Sequence, residues 1–141
     1  MREDDPLSWV EKAEEDWETA NTLLKRKKPF TGIICFHFQQ CAEKYLKAIL
    51  VFKGFSFPKT HDLIALSKIC EENGMLIGMD EDVLDVLSGY AATSRYPGAD
   101  PSLEDTRESL QTTLSIRRFA RKFLGLKKYS YSCRRREADA S

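Results

Sequence analysis

Hydrophobic positions recur every three or four residues through most of this chain, which predicts helices rather than strands. One apolar stripe runs from Val10 to Leu24, and a second runs from Phe30 to Phe52. This spacing places the apolar side chains on one face of an amphipathic α-helix. No segment alternates with a period of two for long enough to form a strand. We therefore predict an all-α fold.

Capping and turn residues divide the pattern into four long helices and one short helix, the third in the chain. The predicted helices run from Leu7 to Lys27, from Pro29 to Gly54, from a Thr60 cap to Asn73-Gly74, from an Asp80 cap to the segment before Arg95, and from Asp100-Pro101 to Gly125. Short links between long helices favour an antiparallel up-and-down helical bundle. We assign the bundle to residues 1–125 and a flexible basic C-terminal tail to residues 126–141.

Two of these helices carry further expectations. The second has more apolar positions than one bundle seam needs, so we expect a homodimer. The inner face of the fourth is predicted from its periodicity. That face consists of Val83, Val86, Leu87, Tyr90 and Ala91.

Charge and cysteine content exclude several functional classes. The 22 Lys and Arg residues balance 22 Asp and Glu residues, which argues against a protein that coats DNA by bulk charge. The four cysteines form no C-x-x-C pair, so we expect reduced cysteines in the cytoplasm. The longest apolar run is too short to cross a bilayer, and no membrane association is expected. Scattered histidines and cysteines offer no metal site, and we expect no cofactor.

Three segments carry a family resemblance. They are WVEKAEEDWETANTLL from residue 9, CFHFQQCAEKYLKAILVFKGFSFPKTHDLIAL from residue 35 and YAATSRYPG from residue 90. In these motifs and their spacing the chain resembles the HEPN domain family, over roughly residues 5–124. The resemblance implies a helical bundle that usually dimerises. It also implies a gene neighbour that encodes a small nucleotidyltransferase, the two proteins forming a toxin–antitoxin pair.

Many HEPN proteins are metal-independent ribonucleases, whose motif is an Arg followed four to six residues later by His. The two histidines here, His37 and His61, have no arginine in that window. We therefore lean towards a protein that is not an enzyme. If it is a ribonuclease, its site must be rearranged, with Arg95 and either His61 or His37 as the catalytic candidates.

One polar ridge of the second helix is a candidate binding surface. His37, Gln40, Lys44 and Lys47 recur at steps of three and four residues, beside the apolar seam. Ammonium, amide and imidazole groups at this spacing are suited to a phosphate and a base edge. The alternative is that the lysines form a solvated face and His37 a boundary residue.

The segment Arg95-Tyr96-Pro97-Gly98 is a second candidate, because Arg and Tyr side by side can pair with a phosphate and stack on a base. Arg95 could instead bind the last carbonyl groups of the fourth helix while Tyr96 closes the bundle end. Likewise, His61 is either a catalytic imidazole or a capping and packing residue.

Three functions stay open. The first is a nucleotide-binding or RNA-binding module that partners a small nucleotidyltransferase. The second is a HEPN ribonuclease with a rearranged site, and the third is a purely structural protein-interaction bundle.

Overall fold

The computed structural model describes residues 2–94, 96–98 and 100–126 of the chain. The regular elements in these ranges are α1 (Pro6–Leu24), α2 (Thr31–Lys53), α3 (Leu63–Glu72), α4 (Glu81–Thr93) and α5 (Leu103–Phe123). The predicted all-α fold is confirmed, with α3 as the short helix. None of these helices combines the length and apolar character that a bilayer crossing requires. The predicted tail, apart from Leu126, lies outside the described residues.

Two helices differ from prediction at their ends. α1 ends at Leu24 and not at Lys27, because residues 25–28 are all exposed and no packing extends the helix. α2 begins at Thr31, so Pro29 lies before the helix and not in its first turn. The predicted C-terminal stop at Gly54 is confirmed, since Gly54 adopts a left-handed φ of 77°.

The start of α3 was predicted with the wrong cap. Asp62 is the N-cap, and its Oδ1 atom accepts a hydrogen bond from the Ile64 N–H at 2.9 Å. Thr60 acts before the helix instead, where its Oγ1 atom accepts from the Asp62 N–H at 3.0 Å. Both residue types can cap, but only Asp62 stands directly before Leu63, where its carboxylate reaches the free N–H groups.

The remaining caps mostly agree with the sequence. Asp80 caps α4 as predicted, and Asn73 with Gly74 ends α3 as predicted. α5 begins after Ser102, later than the predicted start at Asp100-Pro101. Ser102 and Asp105 form a capping box, in which each side chain accepts from the other residue's backbone N–H.

α2 is the central helix of the bundle. It contacts α1, α3, α4 and α5, and its side chains between Ile34 and Leu50 are largely buried. The surplus of apolar positions on α2 is therefore used within one chain. The homodimer stays a prediction, but this surplus no longer supports it. Phe30 and Phe52, at the two ends of the stripe, are about half exposed.

The inner face of α4 was partly mispredicted. Leu84 and Leu87 are buried, whereas Val83 is 40% exposed and Val86 is 57% exposed. α4 packs mainly against α2 and α3 and makes little contact with α5. Val83 and Val86 consequently line an open groove of about 540 Å³ between α4 and α5. Leu103, the first residue of α5, is also exposed.

Candidate nucleotide-binding site

His61 lies in the loop before α3, with its imidazole held by a buried carboxylate. Its Nδ1 atom is 2.7 Å from Oε1 of Glu43, and the His61 side chain is 63% exposed. A carboxylate only accepts hydrogen bonds, so Nδ1 carries the proton in this contact. Within the described residues Nε2 makes no hydrogen bond. The exposed ring edge is thus available to a ligand, as an acceptor when neutral and as a donor when charged.

Glu43 is itself fixed through both of its oxygens. Gln39 donates from Nε2 to Oε1 of Glu43 at 3.1 Å and to the His61 carbonyl oxygen at 3.1 Å. Lys47 donates to Oε2 at 3.0 Å, and its ammonium group lies 5.6 Å from the centre of the Trp9 ring. Because each oxygen has a partner, the carboxylate holds one orientation and so does the imidazole.

The loop that carries His61 is tied to α4. Ser88 on α4 donates from Oγ to the His61 carbonyl at 3.0 Å and accepts from the Leu63 N–H at 3.0 Å. Asp62, the N-cap of α3, fixes the other end of the loop. The position of the imidazole is therefore set by α2, α3 and α4 together.

A cavity of about 420 Å³ lies beside this imidazole, and we name it the His61–Tyr96 cleft. Its lining residues are Thr60, His61, Asp62, Ser88, Gly89, Ala91, Ala92 and Tyr96. Tyr96 is 72% exposed, so its ring is accessible to a flat ligand. Arg95, the preceding candidate, lies outside the described residues. Two sequence candidates from distant parts of the chain, His61 and Tyr96, thus meet at one cleft.

The predicted polar ridge of α2 divides into two groups. His37 and Lys44 share Asp16 of α1, with Nδ1 at 2.8 Å from Oδ1 and Nζ at 2.6 Å from Oδ2. Lys47 is buried against Glu43. Gln40 donates to Gln39 at 2.7 Å. Each of the four side chains therefore has an internal partner, and direct ligand contact through them stays a prediction.

The two histidines have equivalent surroundings but different access to solvent. Each imidazole shares a carboxylate with one lysine, Asp16 in the case of His37 and Glu43 in the case of His61. The His37 side chain is only 26% exposed, and the ring of Phe36 lies against it. His61 is therefore the imidazole that a dissolved ligand reaches more easily.

Sequence reasoning missed the carboxylates that organise these groups. Glu43 stands four residues before Lys47, and this spacing is a local signal of a helical ion pair. Asp16 gives no such signal, because its partners are on another helix. Within the described ranges no three potential metal ligands come together.

A buried ion cluster occupies the other side of α2. Glu14 accepts two hydrogen bonds from Arg117, each at 2.7 Å, and one from the Tyr45 hydroxyl at 2.6 Å. Burial raises the pKa of Tyr45 far above its usual value, and the charge of Glu14 adds to that rise. Burial acts to lower the pKa of Arg117, but its contacts with Glu14 outweigh this effect and raise it.

Comparison with known proteins identifies the family. The family model of the HEPN domain matches residues 7–134. The chain belongs to the HEPN family. A solved HEPN structure, named "Crystal Structure of ST0689, an archaeal HEPN homologue", superposes with a TM-score of 0.61. The alignment covers 86% of this chain and 98% of that one at 24% identity, a level that supports the shared fold alone.

One relative of this HEPN protein has a name that refers to function. A protein of Methanocaldococcus jannaschii named "Putative toxin MJ1304" is 41% identical over 49 residues. The match spans 35% of this chain and 31% of that protein, so most of the archaeal sequence has no aligned counterpart here.

Proposed function

We propose that this HEPN protein binds nucleotide or RNA in the His61–Tyr96 cleft and pairs with a small nucleotidyltransferase in a toxin–antitoxin-like system. The observation that carries the proposal is the cleft itself. There, an imidazole fixed by Glu43 and an exposed tyrosine ring line one cavity of about 420 Å³. A volume of this order is within the range of small-ligand pockets.

The two side chains are suited to different parts of a nucleotide. The Tyr96 ring offers a surface on which a base can stack, an interaction of about 1–3 kcal/mol per base. The exposed edge of His61 can contact a phosphate or a base edge, depending on its protonation. Because Glu43 orients the imidazole beforehand, little rotational freedom is lost when a ligand binds.

Binding measurements on two cleft variants test this proposal. A fluorescein-labelled single-stranded RNA and a labelled ATP are each titrated with the wild type, Tyr96→Ala and His61→Ala. Loss of the tyrosine ring is expected to weaken the affinity about 5-fold to 150-fold, which corresponds to the stacking energy given above. Leu76→Ala is the matched control, since Leu76 is an equally exposed loop residue at 72%. Equal affinities of Tyr96→Ala, His61→Ala and wild type for both ligands would refute the proposed site.

A ribonuclease with a rearranged site is the second candidate, and the Glu43–His61 contact favours it. In this arrangement Nε2 of His61 would accept the proton of the ribose 2′-hydroxyl as its oxygen bonds to the adjacent phosphorus, while Glu43 stabilises the charged imidazole. The P–O5′ bond would break to leave a 2′,3′-cyclic phosphate, and the leaving 5′-oxygen would take a proton from water. The family's Arg-to-His motif remains absent, so the cation would have to come from elsewhere, and Arg95 is our sequence candidate. An RNA pool incubated with the wild type, His61→Ala and Arg95→Ala decides the matter. Wild-type cleavage that persists in His61→Ala, or no cleavage at all, would exclude this mechanism.

The proposed pairing with a nucleotidyltransferase is supported by the family and by the toxin name of the archaeal relative. The exposed apolar side chains of Val83 and Val86 beside α5 support this proposal, because a protein partner that covered them would bury apolar surface. This surface would serve equally in the predicted homodimer. Co-expression with a nucleotidyltransferase encoded beside the gene is expected to give a stable complex, and Val86→Asp is expected to weaken it. Separate elution of the two wild-type proteins would contradict the pairing.

A further inference from the structure

The C-terminal half of α5 borders a groove that the proposed cleft does not use. We name it the α5 basic groove, and its volume is about 860 Å³. The lining residues are Leu114, Arg117, Arg118, Arg121, Lys122, Gly125 and Leu126. Arg121 contacts the Tyr45 hydroxyl. Tyr45 stands two residues after Glu43 on α2. Side chains two positions apart in a helix point in nearly opposite directions. The groove therefore lies on a different face from His61.

The charge of this groove is strongly positive. Four cations line it, and Glu14, which pairs with Arg117 and Arg121, neutralises one of them. The C-terminal end of α5 opposes an anion with about half a charge. The two charges of Arg118 and Lys122 exceed this opposing half charge. Arg118 and Lys122 have no ion-pair partner within the described residues, so these two cations are available to an external anion.

The remaining two arginines form a fixed wall. Arg117 is held by the bidentate contact with Glu14, and its guanidinium lies 5.0 Å from the centre of the Trp17 ring. Arg121 is held by a hydrogen bond to Tyr45 at 3.2 Å. A cationic wall whose side chains are already ordered loses less conformational freedom on binding than flexible surface lysines do.

The spacing of the two available cations suits a repeating anion. Arg118 and Lys122 are four residues apart on α5, and such residues lie about 5–6 Å apart on a helix surface. Both are exposed, and both line the same groove. These features match the backbone of a single strand, in which phosphates follow one another at short intervals.

We infer that the α5 basic groove binds the phosphodiester backbone of single-stranded RNA without reading its bases. The inference rests on the proposed function only in taking RNA as the source of the phosphates. The groove and the cleft are separate surfaces. An RNA strand would therefore contact the protein through its backbone at α5 as well as through a base at the cleft.

A probe that has a backbone and no bases isolates the groove. A labelled abasic phosphodiester oligomer of about twelve residues is titrated with the full chain at several salt concentrations. Arg118→Ala/Lys122→Ala is compared with the wild type. Lys68→Ala/Arg107→Ala is the matched control, because it removes the same two cation types from exposed helix positions elsewhere. All four residues are exposed, so circular dichroism is expected to show unchanged folding.

The groove variant is expected to bind the abasic oligomer more weakly, with a salt slope reduced by about 1.4, since each lost phosphate contact accounts for about 0.7. The matched control is expected to keep the wild-type slope. No wild-type binding of the abasic oligomer, or equal slopes for groove variant and wild type, would overturn the inference. Neither result would bear on the proposed binding in the cleft, because that proposal is tested with ligands that contain bases. Equally strong competition by ATP and by the oligomer would show a free-nucleotide site and would also overturn it.

Discussion

Glu14→Gln is the substitution with the most direct structural prediction. The side chain of Glu14 is 1% exposed, and it accepts hydrogen bonds from Tyr45 and Arg117 while pairing with Arg121 at 3.7 Å. Glutamine keeps the size of the side chain and removes its charge. Two largely buried guanidinium groups are then left without their carboxylate.

The expected cost follows from that burial. Removing one partner of a buried ion pair destabilises a protein by about 3–5 kcal/mol. The arginine side chains of this cluster keep 7–12% exposure and border the open α5 basic groove, so they can partly reorient towards water. We therefore expect the lower end of that range, about 3 kcal/mol. For a domain of this size the melting temperature would fall by roughly 10 °C.

Urea unfolding followed by circular dichroism measures this loss. Glu15→Gln is the control, because the side chain of the neighbouring Glu15 is 45% exposed and its contact with Lys12 is a surface ion pair. Its effect is expected to stay within about 0.5 kcal/mol. Adding Arg117→Met to the Glu14→Gln protein removes one of the unpaired arginines and should restore part of the lost stability. Equal stabilities of Glu14→Gln and Glu15→Gln would show that the cluster is not buried as described.

Three further predictions concern single positions. Asp62→Ala removes the α3 cap and is expected to cost about 1 kcal/mol in urea unfolding, whereas Thr60→Ala should cost clearly less. Leu87→Ala is expected to cost about 2–5 kcal/mol, while Val86→Ala stays within about 0.5 kcal/mol; similar large costs for both would restore the sequence-based face of α4, which contains both residues. Burial, and less so the charge of Glu71, raises the pKa of Cys70 from 9.0 to about 11. The neutral thiol is favoured in the folded state, so this contribution to stability is present below pH 9.0 and is lost as the pH rises through about 11. The melting temperature of the wild type should fall over this interval more steeply than that of Cys70→Ala, and parallel curves would contradict the assignment.

The fold was accessible from the sequence because its signals are local. Apolar spacing gave the helices, and short-range caps such as Asp80 gave most of their limits. At the start of α3 two candidate caps lie close together, and only the path of the backbone decides that Asp62 reaches the free N–H groups. Periodicity therefore locates an element better than it locates its first residue.

The orientation of helices towards one another was less accessible. The pattern on α4 contains both Val86 and Leu87, and which of them is buried depends on how far α5 stands from α4. The surplus of apolar residues on α2 suggested a second chain, but the four surrounding helices use it. A hydrophobic pattern indicates that a helix face is buried, but it does not indicate which helix or which chain covers that face.

The candidate site was predicted in part. His61 and Tyr96 were chosen separately from the sequence, and folding brings both to one cleft. The carboxylate that orients the imidazole was missed, since Glu43 lies on α2 and His61 in the loop before α3. Contacts between elements leave no periodic trace in a single sequence.

A titration followed by nuclear magnetic resonance tests the central claim most directly. The chain contains only two histidines, His37 and His61, so their ring signals are readily separated and assigned by substitution. On addition of single-stranded RNA, the ring signals of His61 and Tyr96 are predicted to shift together and to saturate, while those of the less exposed His37 move little. Saturable RNA binding that leaves the His61 and Tyr96 signals in place would contradict the account.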